Sequence, residues 1–230
     1  MRSASRSRKL HKWLGLFVGI QALLWMASGL YMTAISIDII HGDHLAHAPS
    51  APLAFEGALA DAAALAQAFP ALTRLRLRQA GARAVYEVAH PDGTAYLDAM
   101  TGKPVAPLSR AQVGALARAV YQGDGALASL ALLPVTPSEL GGRPAPLWRA
   151  DFDDLTGTSL YFAPVTGDLL GKRHDLWRAF DWLWMLHIMD YDTRENINNL
   201  LLRVASALGL LFALSGGWLL FYTLRVRRPQ

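Results

Sequence analysis

Two long apolar runs frame a chain whose middle alternates. Residues 13–37 give 25 consecutive positions without a formal charge, and residues 204–224 give 21. At roughly 1.5 Å of rise per residue, each helix would exceed the roughly 30 Å of a bilayer's hydrocarbon layer. A helix in a soluble core rarely stays uncharged for more than about 14 residues, so both runs are expected to span. Between them, Ala-rich residues 55–69 predict a helix stopped by Pro70. Leu72-Thr-Arg-Leu-Arg-Leu-Arg78 alternates apolar and basic side chains, the period-2 mark of a half-buried strand. Residues 84–89 predict a second strand, Pro91-Asp92-Gly93 a turn, and residues 94–98 its hairpin partner, closed by Thr101-Gly102. The pattern then recurs: an amphipathic helix over 109–122, strands over 127–135, 147–152 and 158–162, a turn at Thr156-Gly157, and Thr166-Gly167 to close. Tyr96-Leu-Asp-Ala-Met-Thr-Gly102 aligns with Tyr161-Phe-Ala-Pro-Val-Thr-Gly167 at an offset of 65. The expected fold class is an α+β membrane protein, with two transmembrane helices flanking a duplicated helix plus antiparallel-meander domain.

Charge sharpens this picture. The basic pI of 9.6 would suggest nucleic acid if the charge formed one patch. It does not, because all 18 acids lie between Asp38 and Arg203, where only 14 of the 22 Lys and Arg fall. The middle is therefore −4 and the two ends together +8, and nucleic acid is not an expected partner. Arg2, Arg6, Arg8, Lys9 and Lys12 precede the first run, and Arg225, Arg227 and Arg228 follow the second. Basic flanks face the cytoplasm. Both termini are thus expected to be cytoplasmic in a bacterial inner membrane, with the central domain in the periplasm. A cleaved signal peptide is the rival reading of the first run, but a signal's apolar core is only about 7–15 residues long. No Cys is present, so packing alone must hold the domain.

The expected segments are a basic tail over 1–12, a span over 13–40, a linker over 41–54, repeat units over 55–107 and 108–173, an interfacial aromatic segment over 174–199, a span over 200–224 and a basic tail over 225–230. Gly15 and Gly19 form GxxxG, and Gly209, Ala213 and Gly217 repeat every four residues, spacings that permit close helix approach within one chain or in a homodimer. Leu23-Leu-Trp-Met-Ala-Ser28-Gly29 is echoed by Leu210-Leu-Phe-Ala-Leu-Ser215-Gly216.

Taken together, Leu10-His11-Lys12-Trp13-Leu14-Gly15, Ser28-Gly29-Leu30, the two strand-turn-strand-Thr-Gly units and Leu186-His187 resemble the PepSY family with its associated transmembrane helices. The likeness covers nearly the whole chain. The second unit departs from the pattern, since no Asp-Gly precedes its turn at Gly157 and Ala163 stands where the first unit has Asp98. The resemblance implies a PepSY-like pair outside the membrane and a kinship with inner-membrane reductases that carry electrons through haem to periplasmic ferric siderophores. The larger members of that group have four or more helices, and a dimer of this chain would restore four.

Haem b would need His at the spans, since neutral imidazole is the usual axial ligand. The candidate ligands are His11 at the cytoplasmic entry, completed from a second chain, and His41 with His187 at the outer face. Each has a plainer reading: His11 as an interfacial residue beside Lys12 and Trp13, His187 as part of an amphipathic helix, and His41, His44 and His47 as a solvated linker. A loose metal site from His41, His44 and His187, or from the 41/44/47 trio with Asp43, is the remaining use of these residues. Trp177, Phe180, Trp182, Trp184 and their apolar neighbours suit an interfacial anchor and equally a cofactor wall. Asp190, Asp192, Arg194 and Glu195 place that stretch at or above the membrane surface, because charge inside hydrocarbon costs several kcal/mol. Asp151, Asp153 and Asp154 read as a solvated turn or a cation site. GxSxG, HExxH, GK[ST] and dinucleotide signatures are missing from the sequence. Two functions follow: a membrane electron-transfer subunit reducing a periplasmic substrate such as a ferric siderophore, or a non-enzymatic anchored module that binds or restrains another envelope protein. The expected partners are the lipid bilayer, a second copy or another membrane protein, and a periplasmic substrate.

Overall fold

A computed structural model describes residues 2–48, 52–69 and 71–226. Pro70, Arg227 and Arg228 lie outside the described residues, as do the side chains of Arg2, Arg6 and Arg8. The chain is α+β, with two antiparallel sheets and, among the described residues, one helix, over Leu200–Arg225, that is long and apolar enough to cross a membrane. It divides into a helical unit, residues 1–40 and 176–230, and a sheet unit, residues 41–175.

In the sheet unit, α3 (Ala62–Ala68) precedes β1 (Arg74–Ala80), β2 (Arg83–His90) and β3 (Gly93–Asp98), an antiparallel sheet in the order β1-β2-β3. Then α4 (Arg110–Val120) precedes β4 (Leu127–Leu133), β5 (Leu147–Phe152), β6 (Ser159–Phe162) and β7 (Leu169–Arg173), again in sequence order. The duplicated helix-plus-meander is therefore present. The helix expected over 55–69 is not: only its second half forms, capped by Asp61 accepting from the Ala63 N–H. Residues 52–60 form neither helix nor strand and cover the sheet instead. Ala60 bonds Ala99 through its backbone, its carbonyl accepts the Tyr86 hydroxyl, and Leu59 packs on the apolar cluster of Tyr86, Val88 and Leu97. Tertiary contact outweighs the helical propensity of alanine here. β7 is an addition to the expected strands.

In the second repeat α4 is fixed by a full capping box, Ser109 with Gln112, and lays Val113, Ala117 and Val120 on Trp148, Ala150, Phe152, Leu160 and Phe162. The opposite sheet face is also covered, with Leu147 and Tyr161 packing under Leu140 of a short 3-10 turn. Burial on both faces explains why β6 reads as an unbroken buried run rather than an alternation.

The two closing turns are equivalent at the backbone. Asp98 N–H bonds Lys103 O and Gly102 N–H bonds Asp98 O; 65 residues on, Ala163 N–H bonds Asp168 O and Gly167 N–H bonds Ala163 O. Gly102 and Gly167 both need positive φ, 67° and 73°. Gly167 is also cramped, since a Cβ there would meet Leu116 at 2.9 Å and Leu108 at 3.1 Å. We expect Gly167→Ala to cost about 1–3 kcal/mol from backbone strain, with overlap added. Gly81→Ala, at φ +58° in open space, isolates the backbone part. Urea midpoints of the two variants should differ, Gly167→Ala being the lower.

The helical unit comprises α1 (Arg2–Ala34), the short α2 (Ile37–Ile40), α5 (Asp175–Ile188) and α6 (Leu200–Val226). α1 and α6 pack antiparallel: His11 lies level with Ser215 and Gly216, Gly15 with Phe212, and Val18 with Gly209. A Cβ on Gly15 would sit 3.0 Å from the Phe212 ring, so this glycine serves pairing within the chain. Gly19 and Gly217, expected on the same faces, look into open space. The aromatic stretch expected at an interface forms α5, which runs antiparallel beside α1. The Tyr31 hydroxyl donates to Leu176 O at 2.9 Å, and Trp25 Nε1 donates to His187 O at 2.8 Å.

Candidate cofactor site: two histidine–serine pairs

The helical unit brings two of the expected histidines onto serines. His187 Nδ1 lies 2.8 Å from Ser28 Oγ, and His11 Nδ1 lies 2.7 Å from Ser215 Oγ. The proton positions follow from the other bond each serine makes. Ser28 Oγ is 2.7 Å from Leu24 O, and Ser215 Oγ is 2.7 Å from Phe212 O. Two oxygens so close need a proton between them, and a carbonyl has none to give. Each hydroxyl therefore donates to its own helix backbone, as Ser commonly does three or four residues back, and accepts from the imidazole. Nδ1 then carries a proton, and in the neutral ring Nε2 is the lone-pair nitrogen. Among the described residues, neither Nε2 makes a hydrogen bond.

Both rings are also held by aromatic neighbours. His11 stacks on Phe212 with centroids 4.4 Å apart and planes 9° apart. His187 lies nearly parallel to Trp184 at 6.5 Å, and Trp184 in turn to Phe180 at 6.3 Å. Ser28 is buried. Sequence reading picked out His11 and His187 but not their serines, although the Ser28/Ser215 echo was the signal that marked them.

The other expected ligands lie in the sheet unit. His41 is exposed at the start of a turn over 41–45. His44, also exposed, turns its ring edge-on to His174 at 6.0 Å. His47 donates its backbone N–H to Val120 O, and Asp43 pairs with Lys172 at 2.5 Å. The linker they occupy is docked rather than loose, since Leu45 and Ala46 are buried and Ala46 bridges Tyr121. Among the described residues, no group of three or more His, Cys, Asp or Glu side chains comes together to hold a metal.

The acidic cluster is engaged within the fold. Asp151 accepts from Ser129, Arg149 and Ser159; Asp153 from the Ala126 N–H; Asp154 from Tyr121, Thr156 and the Thr158 N–H. Burial, and then the Asp154 carboxylate, push the Tyr121 phenol up to about 12. Asp154 thus does for the turn at Gly157 what an Asp-Gly dipeptide would have done.

Asp98 caps the first closing turn, accepting the Thr101 N–H at 2.9 Å, the Thr101 hydroxyl at 3.0 Å and the Met100 N–H at 3.1 Å. The Thr101 N–H first, then its hydroxyl, hold this carboxyl below the usual range. A depressed carboxylate contributes stability that is complete above its unfolded pKa, about 3.9, and is lost as pH falls through the folded value. Asp98→Asn should therefore lower stability at neutral pH and flatten the decline below about pH 4, as read by urea unfolding at several pH values.

A cavity of about 700 Å³ opens between the two repeats. Its walls are apolar, with Val85, Leu108, Leu116, Phe162 and Leu169, and Arg78 and Asp168 meet across it at 2.7 Å. Arg78 also pairs with Glu87, which is nearly buried on β2.

No family model matches this chain, and neither a curated protein nor a solved structure is similar to it.

Proposed function

We propose that the chain is a PepSY-type inner-membrane electron-transfer subunit, serving reduction of a periplasmic substrate such as a ferric siderophore. In this reading α1 and α6 both span, both termini are cytoplasmic and the sheet unit is periplasmic. The observation that carries it is the pair of imidazoles, each with Nδ1 committed to a serine and with Nε2 making no hydrogen bond among the described residues. That is the state an axial haem ligand needs, and a hydrogen bond on the far nitrogen is the usual way of fixing it. His187 and His11 would hold haem b, the further ligands coming from a second copy or a membrane partner. Haem iron supplies one-electron transfer when bound. The chain's own part is to fix both rings, to wall them with Phe212 and Trp184, and to keep polar backbone paired inside helices.

The test is an absorption spectrum of the full-length protein purified in detergent. A Soret band supports the proposal; folded but colourless protein overturns it. The second reading, an anchored module acting on another envelope protein, is favoured by the apolar cavity between the repeats, which lies within the roughly 300–1,000 Å³ of ligand sites. A photocrosslinker at Leu116 that traps a second polypeptide in membranes, and no longer does so once Val85→Trp fills the cavity, supports this reading. The absence of any trapped species removes it.

A further inference from the structure

The two histidine–serine pairs are copies of one another. Leu10-His11 matches Leu186-His187, Leu23-Leu24 matches Leu210-Leu211, Trp25 matches Phe212, and Ser28-Gly29 matches Ser215-Gly216. Ser28 follows His11 by 17 residues and Ser215 follows His187 by 28, the excess being the 11 residues 189–199 that separate α5 from α6. Without that insertion the two stretches are equal in length from histidine to serine, and they match at the residues named. Because α1 and α6 are antiparallel, the copies run in opposite senses, the arrangement of an inverted repeat. The bonds are exchanged between copies: the serine of the first holds the histidine of the second, and the reverse. The inserted loop leaves this intact by closing on itself. Asp190 accepts from Thr193, Glu195 and Asn196, and Asn199 returns to Ile188 O at 2.9 Å.

We infer that Ser28 and Ser215 are positioning residues of an inverted repeat, each holding the histidine of the other copy as the Nδ1–H tautomer and so leaving Nε2 as the ligating nitrogen. The inference rests on the haem reading only for the metal's identity; the tautomer and the exchange stand on the hydrogen bonds and the alignment. It gives the two histidines the same serine acceptor, one beside the middle of α6 and one near its start. The free neutral imidazole usually favours a proton on Nε2, so the serines impose a preference that is measurable without any activity.

The experiment is nitrogen-15 NMR of the full-length, ¹⁵N-histidine-labelled protein in detergent, kept reduced so that any bound iron is diamagnetic. His11 and His187 should both show protonated Nδ1. Ser28→Ala should move the ring nitrogens of His187 and leave those of His11 in place. Ser215→Ala should do the reverse, and Ser→Thr at either position should restore the parent pattern. Unmoved resonances in His11 also show that Ser28→Ala still folds. An Nε2-protonated ring at either site, or a shift in the histidine of the same copy, overturns the inference. Colourless protein that keeps the Nδ1–H signature sinks the haem reading and leaves this one standing. Coloured protein whose histidine signals ignore both serine substitutions does the opposite.

Discussion

Full-length protein bearing His187→Ala, purified in detergent, is expected to lose roughly half of the wild-type Soret absorption, with His11→Ala removing the other half and the double variant colourless. The halves follow from the likeness of the two imidazoles: each has a serine acceptor, and each of those serines has an aromatic residue three positions before it. Ser28→Ala should leave a centre that still forms but binds about 10–100-fold more weakly, the usual loss when an outer-shell partner of a ligating histidine is removed. A graded result, ligand loss against partner loss, distinguishes coordination from a general disturbance of the helices. If both histidine variants keep full absorption, neither residue is a ligand and the electron-transfer proposal fails.

The second large effect is on the sheet unit. Phe162 is fully buried, packs between α4 and β5, and also lines the cavity between the repeats. Phe162→Ala removes a large apolar side chain beside space that is already open, so the neighbours have little reason to close in. The cost should sit near about 3–5 kcal/mol, the range for such truncations. Domains of this size are stable by only about 5–15 kcal/mol, and the chain has no disulfide to offset the loss. Urea denaturation followed by the circular dichroism of the sheet unit should show the midpoint falling with an unchanged slope. A loss under about 1 kcal/mol would mean that the repeats repack and that the cavity is not a fixed feature.

Most of the sheet unit was legible because its strands obey local rules. β2, β3 and β5 are short and rich in branched or aromatic residues, and are bounded by turn residues, so their existence and order could be read directly. The Thr-Gly repeat at an offset of 65 proved to be a repeat of backbone hydrogen bonds. What failed did so for tertiary reasons. Residues 55–60 look helical by composition, yet the Ala60 N–H bonds Ala99 O, a partner distant in sequence, instead of a helical one. β7 is five residues with Gly171 at its centre, too short to show alternation, and only its pairing with β6 reveals it.

In the helical unit the histidines stood out by chemical type, but their partners did not. The level at which α1 meets α6 is set by Gly15 beneath Phe212 and Gly209 beside Val18, contacts between residues almost 200 positions apart. A serine in an apolar run carries no mark of which ring it will meet. Only the echo pointed to Ser28 and Ser215, and an 11-residue insertion hid how far that echo extends.

The exchange of hydrogen bonds also bears on descent. A single helix carrying one Leu-His and one Ser-Gly holds both halves of the interaction 17 residues apart, roughly 25 Å along its own axis, where they never meet. They meet only when a second such helix lies against the first pointing the other way. Under the membrane reading proposed above, the simplest forebear is a one-helix protein inserted in both orientations, pairing with its own mirror in topology. Fusing two copies on either side of the sheet unit would have fixed one orientation for each.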